Sequence, residues 1–179
     1  MLEFDMDSVQ ANRSYDIPNP GGYICQIVNV RDVPNKEYLE VELDIAEGDY
    51  AGFYKELSDR AGFWGLKLYR SYKESARGMF KGFIEDIGES NSGFAWDWNE
   101  DRLKGLSIGA VIGEEEYIGN DGQIKTRLKV TSTKTVHQIH EGKFKVPAIK
   151  RLEEQNKGNE VVNIDVPAGF TENADETPF

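Results

Sequence analysis

At 179 residues, 39% hydrophobic and 30% charged, the chain has the material for one globular domain with a polar extension to spare. A net charge of -11 means that any attraction to a polyanion must come from a local patch. The single cysteine excludes an internal disulfide, and no early apolar run resembles a signal peptide or a membrane span, so a cytoplasmic protein is expected.

Residues 1–17 are polar and precede Pro18 and Pro20, which marks them as an arm ahead of a body at 18–152. Gly21-Gly22 opens that body. Tyr23 to Val30 is apolar and β-branched, and after the turn at Asp32 to Asn35 the run Glu37 to Ala46 alternates strictly. Leu39, Val41, Leu43 and Ile45 should face inward, with Tyr38, Glu40, Glu42 and Asp44 outward, which predicts an antiparallel hairpin with an acidic outer face. Cys25, set between Ile24 and Ile27, fits a packed strand position better than a nucleophile.

Gly52 to Leu57 and Phe63 to Tyr72 predict a third strand, interrupted near Asp59 to Gly62. Its second half should set Trp64, Leu66 and Leu68 on one face and Phe63, Lys67 and Tyr69 on the other. From Lys73 the period becomes helical through Ala76, Phe80, Phe83, Ile84 and Ile87, with Gly88 as the stop. Gly78 and Gly82 fall four apart on that helix, a spacing suited to close packing on the sheet. The loop from Asn91 to Lys104 carries Trp96 and Trp98, rings suited to plugging the core or to displaying a face to a ligand, the former being the simpler expectation.

A strand from Leu106 to Ile118, the turn Gly119-Asn120-Asp121-Gly122 and a strand from Ile124 to Val136 complete the body as a hairpin. On the last strand Leu128 and Val130 should point in, and Lys125, Arg127 and Lys129 out. The order of three strands, one helix and two strands predicts a mainly β protein. Its fold class is a five-stranded Greek-key barrel of the OB-fold type, with the helix between strands 3 and 4.

The stretch from Phe53 to Lys81 carries seven Lys or Arg against three acids, a net +4 within an acidic chain. Cations mixed with flat rings suit phosphates and unpaired bases. A soluble aromatic strand is the competing explanation, equally weighted on this stretch alone. The candidate DNA-binding residues are Lys55, Phe63, Trp64, Lys67, Tyr69, Arg70, Tyr72 and Lys73, with Arg127 and Lys129 as a second basic row. His137 and His140 lack a third ligand at metal-binding spacing, and Glu114 to Glu116 reads as a solvated strand end. No glycine-rich phosphate loop or Ser-His-Asp grouping is legible, so no catalytic residue, cofactor or metal is expected.

Residues 153–179 hold seven acids against Lys157 alone, a net -6, and their low hydrophobicity predicts a disordered tail. Its last six residues, Ala174 to Phe179, resemble the acidic tip of bacterial single-stranded DNA-binding proteins. That likeness implies docking of Asp175, Glu176, Pro178 and Phe179 on replication and recombination partners. The body, through Pro20 to Tyr23, Ala46 to Leu57, Phe63 to Glu74 and Gly113 to Gly122, resembles a family of phage and prophage proteins with a loose acidic tail. The resemblance spans most of residues 18–150. It implies single-stranded DNA binding in phage replication or recombination, without a catalytic role, in the host cytoplasm.

Two functions therefore stand at this point. One is a single-stranded DNA-binding protein that stacks bases, neutralises phosphates and self-associates, a dimer being favoured. The other is an acidic OB-fold interaction module or DNA-mimic inhibitor that binds a protein instead.

Overall fold

The computed structural model describes residues 17–153 of the chain. Five strands form one antiparallel sheet in the order β3-β2-β1-β4-β5. They are β1 (Gly21–Val33), β2 (Tyr38–Ile45), β3 (Lys67–Ser71), β4 (Ser107–Ile118) and β5 (Ile124–Lys134). Helix α1 (Phe53–Ala61) precedes β3, α2 (Arg77–Ser90) links β3 to β4, and α3 (Val136–His140) follows β5. Among the described residues no helix is long and apolar enough to cross a membrane.

The long strand β1 divides its pairing. Gly21 to Gln26 lies against β4, whereas Cys25 to Val33 lies against β2. A bulge between Ile27 and Asn29 shifts the register, so Cys25 and Ile27 point into the core before it and Val30 after it. As expected, Leu39, Val41, Leu43 and Ile45 of β2 are all buried. They meet Leu66 just before β3, Leu68 of β3, Phe80, Phe83 and Ile87 of α2, and Ile108, Ala110 and Ile112 of β4. Cys25 is fully buried, which pushes its thiol up to about 12 and agrees with a packing role.

Phe53 to Ala61 is a helix, not the start of the third strand. Left-handed glycines bound it, Gly52 at φ 78° and Gly62 at φ 76°. Tyr54 and Leu57, three apart, turn one face inward, while Lys55 pairs with Asp59 at 3.0 Å one turn on, outside. Only Lys67–Ser71 joins the sheet as β3. The helical run after Lys73 is α2, but it passes through Gly88 to Ser90. Asn91 terminates it, with Nδ2 donating to the Ile87 and Ser107 carbonyls and Oδ1 accepting from the Ser107 amide.

Gly78 and Gly82 do not serve close packing. A Cβ at either would meet no atom within 4 Å. Close approach is needed instead at Gly109, where a Cβ would lie 2.8 Å from the Lys134 carbonyl oxygen and 2.5 Å from Ile139. Helix α3 sits there, capped reciprocally by Thr135 and Gln138. The chain beyond α3 lays Phe144 over Gly22 and Pro147 by Gly113, and Lys150 bridges to Glu115. Ile24, Val111 and Ile139 thereby form a second small core on the reverse of β1 and β4.

Candidate functional site

The solvent side of β3, β2 and β1 carries a compact group of rings and ions. Alternation in β3 puts Leu68 inward and Lys67, Tyr69 and Ser71 outward. The registers align Tyr69 with Glu40 and Glu40 with Arg31 across the three strands. Tyr69 meets Tyr38 edge to face with centroids 5.5 Å apart. Beneath the side chains lies Glu40, only 9% exposed, which accepts from Arg31 Nη2 at 2.9 Å and from Lys67 Nζ at 3.1 Å. Lys67 also lies 3.4 Å from Glu42.

Burial alone would hinder ionisation of Glu40, but the two cations outweigh it and hold the carboxyl below its ordinary range. Burial likewise opposes the charge on Lys67, whose pKa nevertheless rises because Glu40 favours the ammonium. The arrangement covers the negative charge and leaves Arg31, with 66% of its side chain exposed, at the surface.

The other expected residues are distributed more widely. Lys55 sits on α1, away from β3 in the chain. Phe63 and Trp64 are half-buried in the link between α1 and β3, and Trp64 Nε1 donates to the Leu43 carbonyl at 2.8 Å, so that indole is anchored to the core edge. Arg70 is turned inward. Its residue is 8% exposed and its guanidinium lies over the Phe83 ring at 5.7 Å, so it is unavailable as a surface phosphate contact. The inward turn follows from its parity with Leu68. Burial pulls its pKa down, opposed only in part by Asp86.

Tyr72 is half-buried, and its hydroxyl donates to Asp32 at 2.8 Å. Desolvation and that carboxylate push the phenol up to about 12. Lys73 follows directly and enters no ion pair among the described residues. The second basic row is tied to a buried acid: Arg127 and Lys129 reach Glu115 at 2.7 and 2.9 Å, and Arg127 also lies over the Tyr117 ring at 5.1 Å. Asp175, Glu176, Pro178 and Phe179 lie outside the described residues.

Sequence reasoning missed Arg31 and Tyr38 as members of the β3–β2–β1 group, because they come from different strands and only register assembles them. It also treated Trp96 and Trp98 alike. Trp96 packs on Phe80 with centroids at 6.2 Å, as a plug does, whereas Trp98 is 80% exposed. The flanking sequence holds no signal that separates the two.

The histidines are outward, His140 lying 3.2 Å from Glu47 and His137 3.2 Å from Glu141. Among the described residues no group of three His, Cys, Asp or Glu is placed to hold a metal. No protein-family model matches the sequence, and no curated protein matches it significantly.

Proposed function

We propose that the chain is a single-stranded DNA-binding protein whose body is an OB-type barrel. The observation that carries this reading is the Tyr38–Tyr69 ring pair standing on the open side of the sheet next to the Arg31–Glu40–Lys67 ion group. Rings offer bases a stacking surface, and the adjoining cations meet phosphates. Glu40 holds the cations in place from below, so a bound backbone meets ammonium and guanidinium groups first. The OB reading is supported by the divided pairing of β1, by the helix between β3 and β4, and by the approach of β3 to β5.

In this reading the protein acts in phage replication or recombination inside the host cytoplasm, as a self-associating coat, and is not an enzyme. The acids near Phe179 recruit other proteins of that process.

The test is a titration of labelled oligo-dT followed by anisotropy. Binding should be evident at low salt and fall several-fold or more between ~50 and ~200 mM salt. No binding at the lower salt overturns the proposal. A second reading, an acidic interaction module that binds a protein, is favoured by one observation: Lys67, Arg127 and Lys129 are all engaged by carboxylates already. Salt-independent absence of DNA binding would select it.

A further inference from the structure

Trp98 is displayed rather than merely left outside. It is the most exposed of the large hydrophobic residues described, at 80%, and its backbone sits at φ 67°, a left-handed conformation unfavourable to a bulky side chain. The loop around it is pinned. Arg102 pairs with Asp97, Asn99 caps the short turn from Glu100 to Leu103, and Lys104 meets Asp101 at 2.7 Å. Behind the ring runs a chain of aromatic contacts: Trp98 to Trp96 at 6.1 Å, Trp96 to Phe80 at 6.2 Å and Phe80 to Tyr72 at 6.1 Å. Two cations border that chain, Lys73 next to Tyr72 in sequence and Arg77 one turn before Phe80 on α2. Neither enters an ion pair among the described residues.

We infer that Trp98 is a stacking platform for one unpaired base, with Lys73 and Arg77 meeting phosphates further along the same strand, as a subsite separate from the ring pair on β2 and β3. The inference rests on the single-strand reading given above. A strained and braced loop that holds an indole in water suits a planar ligand. Cations without an ion pair, placed next to Tyr72 and one turn before Phe80 along the aromatic chain behind it, select an anionic chain that carries such planes over an uncharged partner.

The experiment compares the wild type with Trp98→Ala and Trp98→Phe, using a labelled oligo-dT and a matched abasic deoxyribose-phosphate oligomer at one low salt concentration. Trp98→Ala should weaken oligo-dT binding about tenfold, Trp98→Phe should restore most of it, and neither should change binding to the abasic oligomer. Thermal melting should be unchanged in both, since the ring is outside the core. If the wild type binds oligo-dT and Trp98→Ala binds it equally well, the subsite is overturned while the single-strand reading stands, and the ring belongs to a protein contact. A loss on the abasic oligomer as large as on oligo-dT also overturns base stacking. If the wild type binds neither, both readings fall together.

Discussion

Tyr54 donates its backbone amide to Asp44 Oδ1 at 3.0 Å, and the Ile45 amide donates to the same oxygen at 2.9 Å. A carboxylate at the end of β2 thus caps α1 across the intervening turn, where the helix's own N-cap, Gly52, has no side chain to do so. Burial pushes the Asp44 pKa up, and these amides oppose that rise. Asp44→Ala should lower stability by ~1–2 kcal/mol, the usual cost of losing a cap, with Asp44→Asn milder. Chemical denaturation of the three proteins checks this. Equal midpoints would remove the cap from the account.

Glycines give a paired prediction. Gly78→Ala and Gly82→Ala each fill open space on a helix and should stabilise by ~0.5–1 kcal/mol. Gly109→Ala forces a methyl against the backbone carbonyls of Lys134 and Thr135, which cannot swing away as a side-chain end could. It should destabilise by ~1–3 kcal/mol, the range for overpacking. Melting temperatures moving in opposite directions are the expected outcome.

Adjacent positions on β3 separate surface from core. Tyr69→Ala should weaken oligo-dT binding about tenfold, because stacking is worth ~1–3 kcal/mol per base. Arg70→Met should leave binding unchanged. Its stability should shift by less than ~1 kcal/mol, since the lost contact with Phe83 is offset by relief of a buried charge. A DNA defect in Arg70→Met with normal melting would return that arginine to the interface.

Glu115 sets a pH dependence. Burial opposes its charge, yet Lys129 and Arg127 prevail and hold its pKa below the ordinary 4.5. A carboxyl lowered by folding contributes stability that is fully present above its unfolded value and is lost as pH falls through the folded one. Asp44, raised by folding, acts in the opposite sense: its contribution is present at low pH and fades as pH rises through its folded value. Glu115→Gln should therefore flatten the loss of stability below about pH 4.5 relative to the wild type. Parallel acid unfolding curves would refute the assignment.

The acidic C-terminal segment predicts intramolecular competition for the cations. Residues 153–179 carry seven acids against Lys157. Removing them should leave oligo-dT affinity unchanged or raise it, most at low salt, because a tethered polyanion competes with DNA for the same groups. Anisotropy of the two chains at ~50 and ~200 mM salt measures the effect. Weaker binding after removal would reverse the assigned role.

Strand alternation made much of the sheet legible: the inward set on β2, the parity of Lys67 and Tyr69, and the tight turn before β5 all follow from period two and turn chemistry. Where the reading failed, short-range pattern met long-range packing. Phe53 and Tyr54 are good strand formers and open this segment, but its glycine borders and its cap from Asp44 select the helix. Arg70 was misplaced because the alternation that turned Leu66 and Leu68 inward was not carried one step further, to position 70. The ring-and-ion group was half visible, since Lys67 and Tyr69 are neighbours in sequence while Arg31, Tyr38 and Glu40 join them only through register.

The divided allegiance of β1 also dictates an order of events in folding. Its pairing with β2 closes a short hairpin, whereas its pairing with β4 joins positions on the order of 80 residues apart, an entropy loss suffered before any return. The two hairpins, β1–β2 and β4–β5, are therefore the early pieces, and their union through Cys25 and Ile108 is the slow one. Until that union, the inner faces of both hairpins are open to water and to other copies of the chain. A nascent chain that has released β3 but not yet β4 is thus the species with most to gain from a chaperone.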